Sequence, residues 1–509
     1  MKQTNNVSSE SLLEKKQMKR MIQQSQEYAA LGFAAVLSVA LAFLAALAGF
    51  DFVSRSVKTG PMLVAGAFAI EAAIVFVVRA LVKRDYEKYH DIQRRVRLLG
   101  IVLILMVLTC NIFACEAGFL LAKKKKSLEY RIGVYMLLTD IMVMFISSIN
   151  ILKGYVISTF FPAMGVLALL TLLHFAVLFP LAEAVTPTQA PKKMRVVAVL
   201  LLLTGLCGNL FAILAGLIIL NKSFNKDSEV SISWIDVFKR LFRSQVAVWG
   251  AFVIIFLITL TIFARYTFDY DLAVNNNYQA ILQGPSLEYP LGTDDLGRCI
   301  FTRVVFGAKI SLVAGLLSTM FSVVIGTTLG AIAGYYSGRI DDIIMRILDI
   351  FMAMPGLLLP IAIITAAGNS LTWIIIALGM GVIPGYGRTV RASVMTLTGC
   401  EFIEAERAIG AKDSWIILKH IIPNSMAPVI VRATMSFGGN VLAISSLSYL
   451  GVGIESYIPE WGNILQTGST YLETASYMAI YPGIAIVLMV LGFNFLGDGF
   501  RDALDPKLK

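Results

Sequence analysis

The side chains most able to do chemistry are concentrated in one polar stretch, EFIEAERAIGAKDSWIILKHIIPN at 401–424. Glu401, Glu404 and Glu406 precede Arg407, an acidic start that suits the positive end of a short helix. Gly410 permits a sharp turn. Asp413 or Ser414 is expected to start a second helix, and Pro423 to end it and turn the chain back. Trp415, Ile416, Ile417 and Leu418 supply apolar contact, with Lys412, Lys419 and His420 as polar edges. This is docking chemistry rather than bond-making chemistry. A short amphipathic helix held by turns enters a groove on a soluble partner and moves as a lever. An ordinary folded loop would carry the same pattern.

Reactive constellations are missing elsewhere. No Gly-Lys dipeptide occurs, so there is no phosphate-cradling loop of the Walker type, and an ATP-driven process would need a separate ATPase chain. Neither HExxH nor GxSxG occurs. The three histidines are His90, His174 and His420, and Cys110, Cys115, Cys207, Cys299 and Cys400 form no CxxC pair. Neither a zinc site nor a disulfide framework is indicated. Glu71, Glu116, Asp140 and His174 fall in or near apolar runs, where ionisable groups are functional candidates by default. They stand singly, and a structural or partner-facing role is read ahead of proton coupling. No catalytic residue, metal ligand or cofactor is assigned.

The elements that must position these groups are membrane helices. Of 509 residues, 57% are hydrophobic and 15% charged, against about a quarter charged in soluble domains. Runs of about twenty apolar residues recur, each long enough to cross a bilayer of ~30 Å, and they are continuous rather than alternating. Six N-terminal segments are read at about 29–50, 61–82, 98–121, 132–152, 155–181 and 196–220. Six more follow at about 246–267, 309–334, 344–366, 372–396, 426–450 and 477–498. Residues 1–28 form a cytoplasmic N-terminal segment. In 221–245, Trp234, Phe238, Leu241 and Phe242 stand beside Lys239, Arg240 and Arg243, which predicts an interfacial linker helix. The net charge of +10 is spread through the connections, which fits cytoplasmic loops rather than nucleic-acid binding.

Alternation gives an untidy N-terminal half. Residues 83–97 are basic and fit the inside, yet Lys123, Lys124, Lys125 and Lys126 then fall outside. One segment is miscounted, and 132–152 is the weakest because Asp140 costs ~2.5–3.5 kcal/mol near its centre. NIFACEAGFLL (111–121) resembles NLFAILAGLII (209–219), and AFLAALAGF (42–50) echoes both. Duplication and a shared bias toward small helix-packing residues both account for this.

The 401–424 stretch resembles the EAA loop of permease subunits of binding-protein-dependent ABC importers. Glu404, Ala405, Gly410 and Pro423 match that pattern, while Glu406 and Ile422 depart from it. YPLGTDDLGRCIFTRVVFGAKISL (289–312), AGYYSGRIDDIIMRILDIFMAMP (333–355) and LGVGIESYIPEWGNIL (450–465) are similar to the dipeptide, oligopeptide and nickel group, as is His420-Ile421-Ile422-Pro423. Cys299 stands where that group commonly has Asp. The resemblance covers roughly 235–509, and 1–230 resembles nothing recognised.

The resemblance implies an all-α polytopic protein of the bacterial-type cytoplasmic membrane. It implies a type I ABC importer permease core of six helices (246–509), expected to follow about six extra N-terminal transmembrane helices (29–220) that are read from the apolar runs alone. It implies a second permease subunit, two ABC ATPase subunits and an extracytoplasmic substrate-binding protein as partners. Glu404, Ala405, Gly410, Asp413, Trp415, His420 and Pro423 would then couple to the ATPase. Arg346 and Asp349, one helical turn apart, are expected to pair locally and support the ATPase side. Pro459, Glu460, Trp461 and Gly462 are candidates for the outward surface that receives the binding protein. Gly315, Gly326, Gly330 and Gly334 are expected to pack at the permease interface. Peptides are the first substrate class by group, ahead of nickel chelates and oligosaccharides. An ATP-independent secondary transporter or channel is the alternative.

Overall fold

The computed structural model describes residues 21–22, 25–51, 56–57, 59–124, 127–184, 190–224 and 234–505. Most of the 1–28 segment, Lys125, Lys126, residues 225–233 of the linker and the last four residues lie outside that set. Among the described residues, nine helices are long and apolar enough to span a membrane, or ten if one bent pair counts as a span. By contacts the chain divides into two compact units. One comprises 1–142, 170–206 and 210–231, and the other 143–169, 207–209 and 232–509.

In the N-terminal unit, α1 (Gln26–Gly49) and α2 (Thr59–Tyr89) are joined by a short antiparallel strand pair, β1 (Phe50–Asp51) and β2 (Ser56–Val57). The expected segment 98–121 is not one helix. It is α3 (Arg94–Leu105) and α4 (Ile112–Ala122), with a 3₁₀ turn and a left-handed Cys110 (φ 61°) between them. Each limb is ~18 Å long, about half a bilayer. The limbs fold back on each other. A Cβ on Gly118 would sit 2.6 Å from Gly100 O, so only glycine permits the approach. The two ends meet: Lys124 Nζ lies 2.5 Å from Asp91 Oδ2, and Arg97 donates to Lys123 O at 3.2 Å.

Segment 196–220 repeats this arrangement. After α5 (Leu128–Ser148) and α6 (Phe160–Ala184) come α7 (Met194–Gly205) and α8 (Leu210–Phe224), broken at Gly208 (φ 104°). A Cβ on Gly216 would meet Ala198 O at 2.8 Å, and Arg195 closes the ends by donating to Ser223 Oγ (2.7 Å) and Ser223 O (2.9 Å). Arg97 and Arg195, Gly100 and Ala198, Cys110 and Gly208, Asn111 and Asn209, and Gly118 and Gly216 share one offset (209 − 111 = 98). The likeness of 111–121 to 209–219 is therefore the likeness of two equivalent hairpin limbs, whereas 42–50 lies in an unbroken helix.

The hairpin at 94–122 also settles the charge pattern. A segment that returns to its own side puts Lys123 and Lys124 with Arg84 and Arg97, as the positive-inside tendency asks. The miscounted segments are 98–121 and, on the same ground, 196–220, and not 132–152. Asp140 is accommodated in α5 by a buried partner, His174.

The C-terminal unit opens with α9 (Trp234–Leu241). Its Val237 and Leu241 are buried against Ala247 and Ala503, while Trp234 stays exposed. Then come α10 (Gln245–Thr267), the 37-residue α11 (Ile300–Tyr336), and α12 (Gly338–Ala353), bent by 89° from α13 (Leu358–Ala367). Next are α14 (Leu371–Leu397), α15 (Glu401–Ala408), α16 (Asp413–Ile416), α17 (Met426–Tyr449), α18 (Trp461–Ser469) and α19 (Tyr477–Leu504). The glycine stripe on α11 packs within this chain. Cβ atoms on Gly326, Gly330 and Gly334 would meet Tyr386 Cβ (2.5 Å), Gly387 O (2.4 Å) and Arg391 O (2.9 Å) of α14.

Candidate functional site

Two turns shape the 401–424 loop. Where α15 ends, Gly410 takes φ 82°, Gly410 N donates to Arg407 O (3.0 Å) and Ala411 N to Glu406 O (3.1 Å). This pair of bonds satisfies the last carbonyls of the helix. The second helix starts at Asp413, whose carboxylate does not cap it but accepts from Tyr335 OH at 2.7 Å. Arg407 donates to the same phenol oxygen at 3.4 Å, with its guanidinium 5.0 Å from the ring. Tyr335 lies at the end of α11, so the loop is latched to the longest helix of the unit.

Pro423 does not stop the helix. A wide π turn over Ile417–Ile421 bonds Ile422 N to Ile417 O, and helical backbone continues through Asn424. The extra residue relaxes the approach of the proline ring to the preceding turn, and Asn424 Nδ2 satisfies His420 O at 2.7 Å. The break falls at Ser425, directly before α17.

The loop divides its apolar residues between two tasks. Ile403, Ile416, Ile417 and Ile421 are buried with Tyr386, Val390 and Val394. Phe402, Ile409, Trp415 and Leu418 are exposed, Ile409 at 79% and Leu418 at 67%, and three of them line a groove with Glu406, Gly410, Lys412 and Ser414. Glu404, Ala405 and Pro423 are also exposed. Glu406, a departure from the family pattern, sits 3.2 Å from His420 Nε2, so the two ends of the loop are paired.

Arg346 and Asp349 do not pair with each other. Asp349 is bonded to Arg388 of α14, and Arg346 is exposed. A second pair, Arg391 with Asp341 (Nε–Oδ1 and Nη2–Oδ2, both 2.5 Å), binds α12 to α14. The i,i+3 spacing predicted a local pair, but Asp349 is bonded instead by a single guanidinium nitrogen of Arg388 on a facing helix.

Pro459, Glu460, Trp461 and Gly462 are not an outward surface, because all four are buried. Trp461 Nε1 donates to Val304 O at 2.8 Å, and its ring fills the space left by Gly307, where a Cβ would lie 2.7 Å from Trp461 Cδ1. Glu460 caps α18 by accepting from Gly462 N (2.8 Å) and Asn463 N (3.2 Å), and Ser445 Oγ donates to it at 3.0 Å. Burial pushes its carboxyl above the usual range, against the pull of those bonds. The exposed residues nearby are Glu455, Ser456 and Tyr457.

Two features were missed in the sequence. A cleft at the break between α12 and α13 is lined by Phe351, Met354, Leu357, Val382, Ser436 and Asn440. Only the Met354-Pro355-Gly356 run signals it. Lys153 reaches Thr302 Oγ1 at 2.9 Å, beside Cys299, and burial lowers its pKa while the Cys299 side chain and Asp269 pull the other way.

The family model described as "Binding-protein-dependent transport system inner membrane component" matches residues 326–509. The model for the N-terminal membrane domain of oligopeptide transport permease C matches 233–285. The dipeptide transport system permease protein DppC of Alkalihalophilus pseudofirmus is 44% identical over 285 residues, 56% of this chain and 93% of that protein. The glutathione transport system permease protein GsiD of Pectobacterium atrosepticum is 41% identical over 56% of this chain and 94% of its own length. A chain of the MetNI methionine ABC transporter aligns at 22% identity and TM-score 0.34, over 40% of this chain and 96% of its own, too low a score to carry an argument. Since nearly the whole of a relative is matched at 44% identity, this chain belongs to the inner-membrane permease components of binding-protein-dependent transport systems.

Proposed function

We propose that the chain is the permease subunit of an ATP-driven importer of di- and oligopeptides. Separate ATPase subunits engage the 401–424 loop, a second permease chain completes the pathway, and an extracytoplasmic binding protein delivers the solute. The observation that carries this reading is the division of labour in the loop. One face is locked to α11 and α14, and the other leaves Phe402, Ile409, Trp415 and Leu418 uncovered. Apolar side chains exposed on an ordered polar loop mark a protein interface. The substrate class is supported by the names of the relatives, which transport a dipeptide and glutathione, both short peptides.

The test is a purified assembly of this chain with its ATPase, second permease and binding protein in proteoliposomes. Trp415→Ala with Leu418→Asp is expected to lower ATPase co-purification and labelled-peptide uptake by on the order of tenfold or more, while membrane insertion survives. Peptide uptake that persists with no ATPase present would overturn the proposal.

A further inference from the structure

Two clefts in the C-terminal unit run into one another along the faces of α14 and α17. The first, of about 370 Å³, opens at the break between α12 and α13 and is lined by Gly356, Gly381, Val382, Ser436, Gly439 and Asn440. The second, of about 910 Å³, is lined by Thr389, Arg432, Met435 and Ser436, with Arg501 and Asp505 by the end of α19. Ser436 belongs to both, so the two form one groove. Its floor is glycine where no helix presses. A Cβ on Gly356, Gly381 or Gly439 would meet nothing within 4 Å, unlike the packed glycines of α11. Small residues that no neighbour requires keep the groove open.

Two polar groups face this groove with hydrogen-bonding capacity left over. Asn440 is 3% exposed. Its Nδ2 donates to Thr319 Oγ1 at 3.0 Å, and Thr319 gives its own hydrogen to Gly315 O at 2.7 Å. That chain fixes the amide orientation and leaves Oδ1 as an acceptor with no donor among the described residues. Arg432 is the second group. Its guanidinium lies in a seat made by α14, 5.6 Å from the centre of the Tyr386 ring, with Nη1 3.4 Å from Thr389 Oγ1. Gly385 makes the room, since a Cβ there would overlap Nη2. The arginines of α14 are neutralised, Arg388 by Asp349 and Arg391 by Asp341, but no carboxylate among the described residues pairs with Arg432. Arg432 stands six positions (432 − 426 = 6), or about 9 Å, along the membrane-spanning α17 from its first residue. A cation held at that depth without a counter-ion is a place for an anion.

We propose that Arg432 is the specificity-determining contact for the C-terminal carboxylate of a peptide in transit along this groove, with Asn440 Oδ1 accepting a peptide N–H. This rests on the importer reading. A guanidinium presents two parallel N–H donors that match a carboxylate, and the Tyr386 ring and Thr389 restrict the swing of that fork. Asn440 stands eight positions (440 − 432 = 8) further on, about 12 Å along the helix, a span that three or four extended residues cover. The site therefore suits short peptides with a free carboxyl end and disfavours peptide amides. An acidic lipid headgroup would bring a phosphate to the same guanidinium, and the test separates the two.

The test uses the assembly of this chain with its ATPase, second permease and binding protein in proteoliposomes, and one labelled tripeptide as the free acid and as the C-terminal amide. Each variant is read as the ratio of free-acid to amide uptake, so that the preference of the binding protein, common to all assemblies, cancels. Arg432→Gln is expected to lower the ratio about tenfold through loss of a charge-assisted pair. Arg432→Lys, which keeps the charge but not the fork, is expected to recover part of it. Gly385→Ala is expected to lower it too, because the added methyl displaces the guanidinium without removing the charge. An unchanged ratio in Arg432→Gln, whether uptake of both peptides falls or of neither, would overturn the inference. Loss of co-purified phospholipid at an unchanged ratio would do the same and assign the seat to a lipid headgroup. One arm needs no variant to fold. A free-acid tripeptide with a benzophenone on its C-terminal residue, irradiated in the unsubstituted assembly, is expected to cross-link within 428–436 of α17, and cross-links confined to other helices would count against the inference. An unsubstituted assembly that takes up neither peptide sinks the importer reading and the inference with it, whereas uptake at an unchanged ratio sinks the inference alone.

Discussion

Tyr335 joins the 401–424 loop to α11 through one oxygen, shared by Asp413 and Arg407. Tyr335→Phe keeps the ring and deletes both bonds. It is expected to cost about 1 kcal/mol in thermal unfolding of the detergent-solubilised chain. Under the proposed ATPase coupling it is expected to lower peptide uptake more than ATPase co-purification, because Phe402, Ile409, Trp415 and Leu418 are untouched. Glu460 gives a pH prediction. Its folded carboxyl pKa is raised, so the folded state holds the proton more tightly than the unfolded state. The penalty is absent below the unfolded value of about 4.3 and grows as pH rises toward the folded value. Glu460→Gln should therefore flatten the fall in melting temperature of the full chain as pH rises above the ordinary glutamate range. Equal slopes in the two proteins would contradict this. Gly410 was legible in the sequence because only its own backbone is needed to define the turn. Trp461 was not. In sequence it is an aromatic residue in a polar connection, and its burial depends on the gap at Gly307, 154 positions away (461 − 307 = 154).

At the scale of elements, apolar length alone misled. Residues 98–121 and 196–220 are long enough to span, and each is helical over most of its length, but each folds at a left-handed residue into two short limbs. The signal was present as an asparagine after a tip residue and a glycine seven positions on, repeated at one offset. It stayed ambiguous because small residues are common on all packed membrane helices. The hairpin makes a sidedness prediction. Arg84→Cys and Lys124→Cys should react with an impermeant thiol reagent from the same face of oriented vesicles. Labelling from opposite faces would mean that 94–122 crosses. Gly118→Leu should separate the limbs, because its side chain would enter the backbone of Gly100 and Ile104. A destabilisation of at least 1–3 kcal/mol is expected, read as lower thermal stability and greater protease sensitivity.

For the whole molecule, the C-terminal unit is a multi-pass inner-membrane permease that its sequence motifs made recognisable, while the N-terminal unit matched no motif and had to be built from contacts. Residues 143–169 group with the permease core, and the reason is polar. Asn150 Nδ2 donates to Thr267 O (3.0 Å), Ser147 and Thr267 hydroxyls lie 3.3 Å apart, and Tyr155 OH donates to Asp269 (2.7 Å). None of these partners is close in sequence, so no pattern could announce them. Asn150→Leu leaves the Thr267 carbonyl unpaired, and a loss of about 1–3 kcal/mol in thermal stability of the full chain is expected.

The wide turn at Ile417–Ile421 is one residue longer than a regular helix would need. Removing a single residue from it would restore ordinary winding with little rotation of what precedes it, because five residues of the wide turn sweep about as far round the axis as four regular ones. Trp415 would keep its bearing toward the groove. A one-codon deletion in the regular winding of α17 would instead swing the loop by about 100° and turn its exposed face aside, so the wide turn is the place where this connection tolerates a change of length.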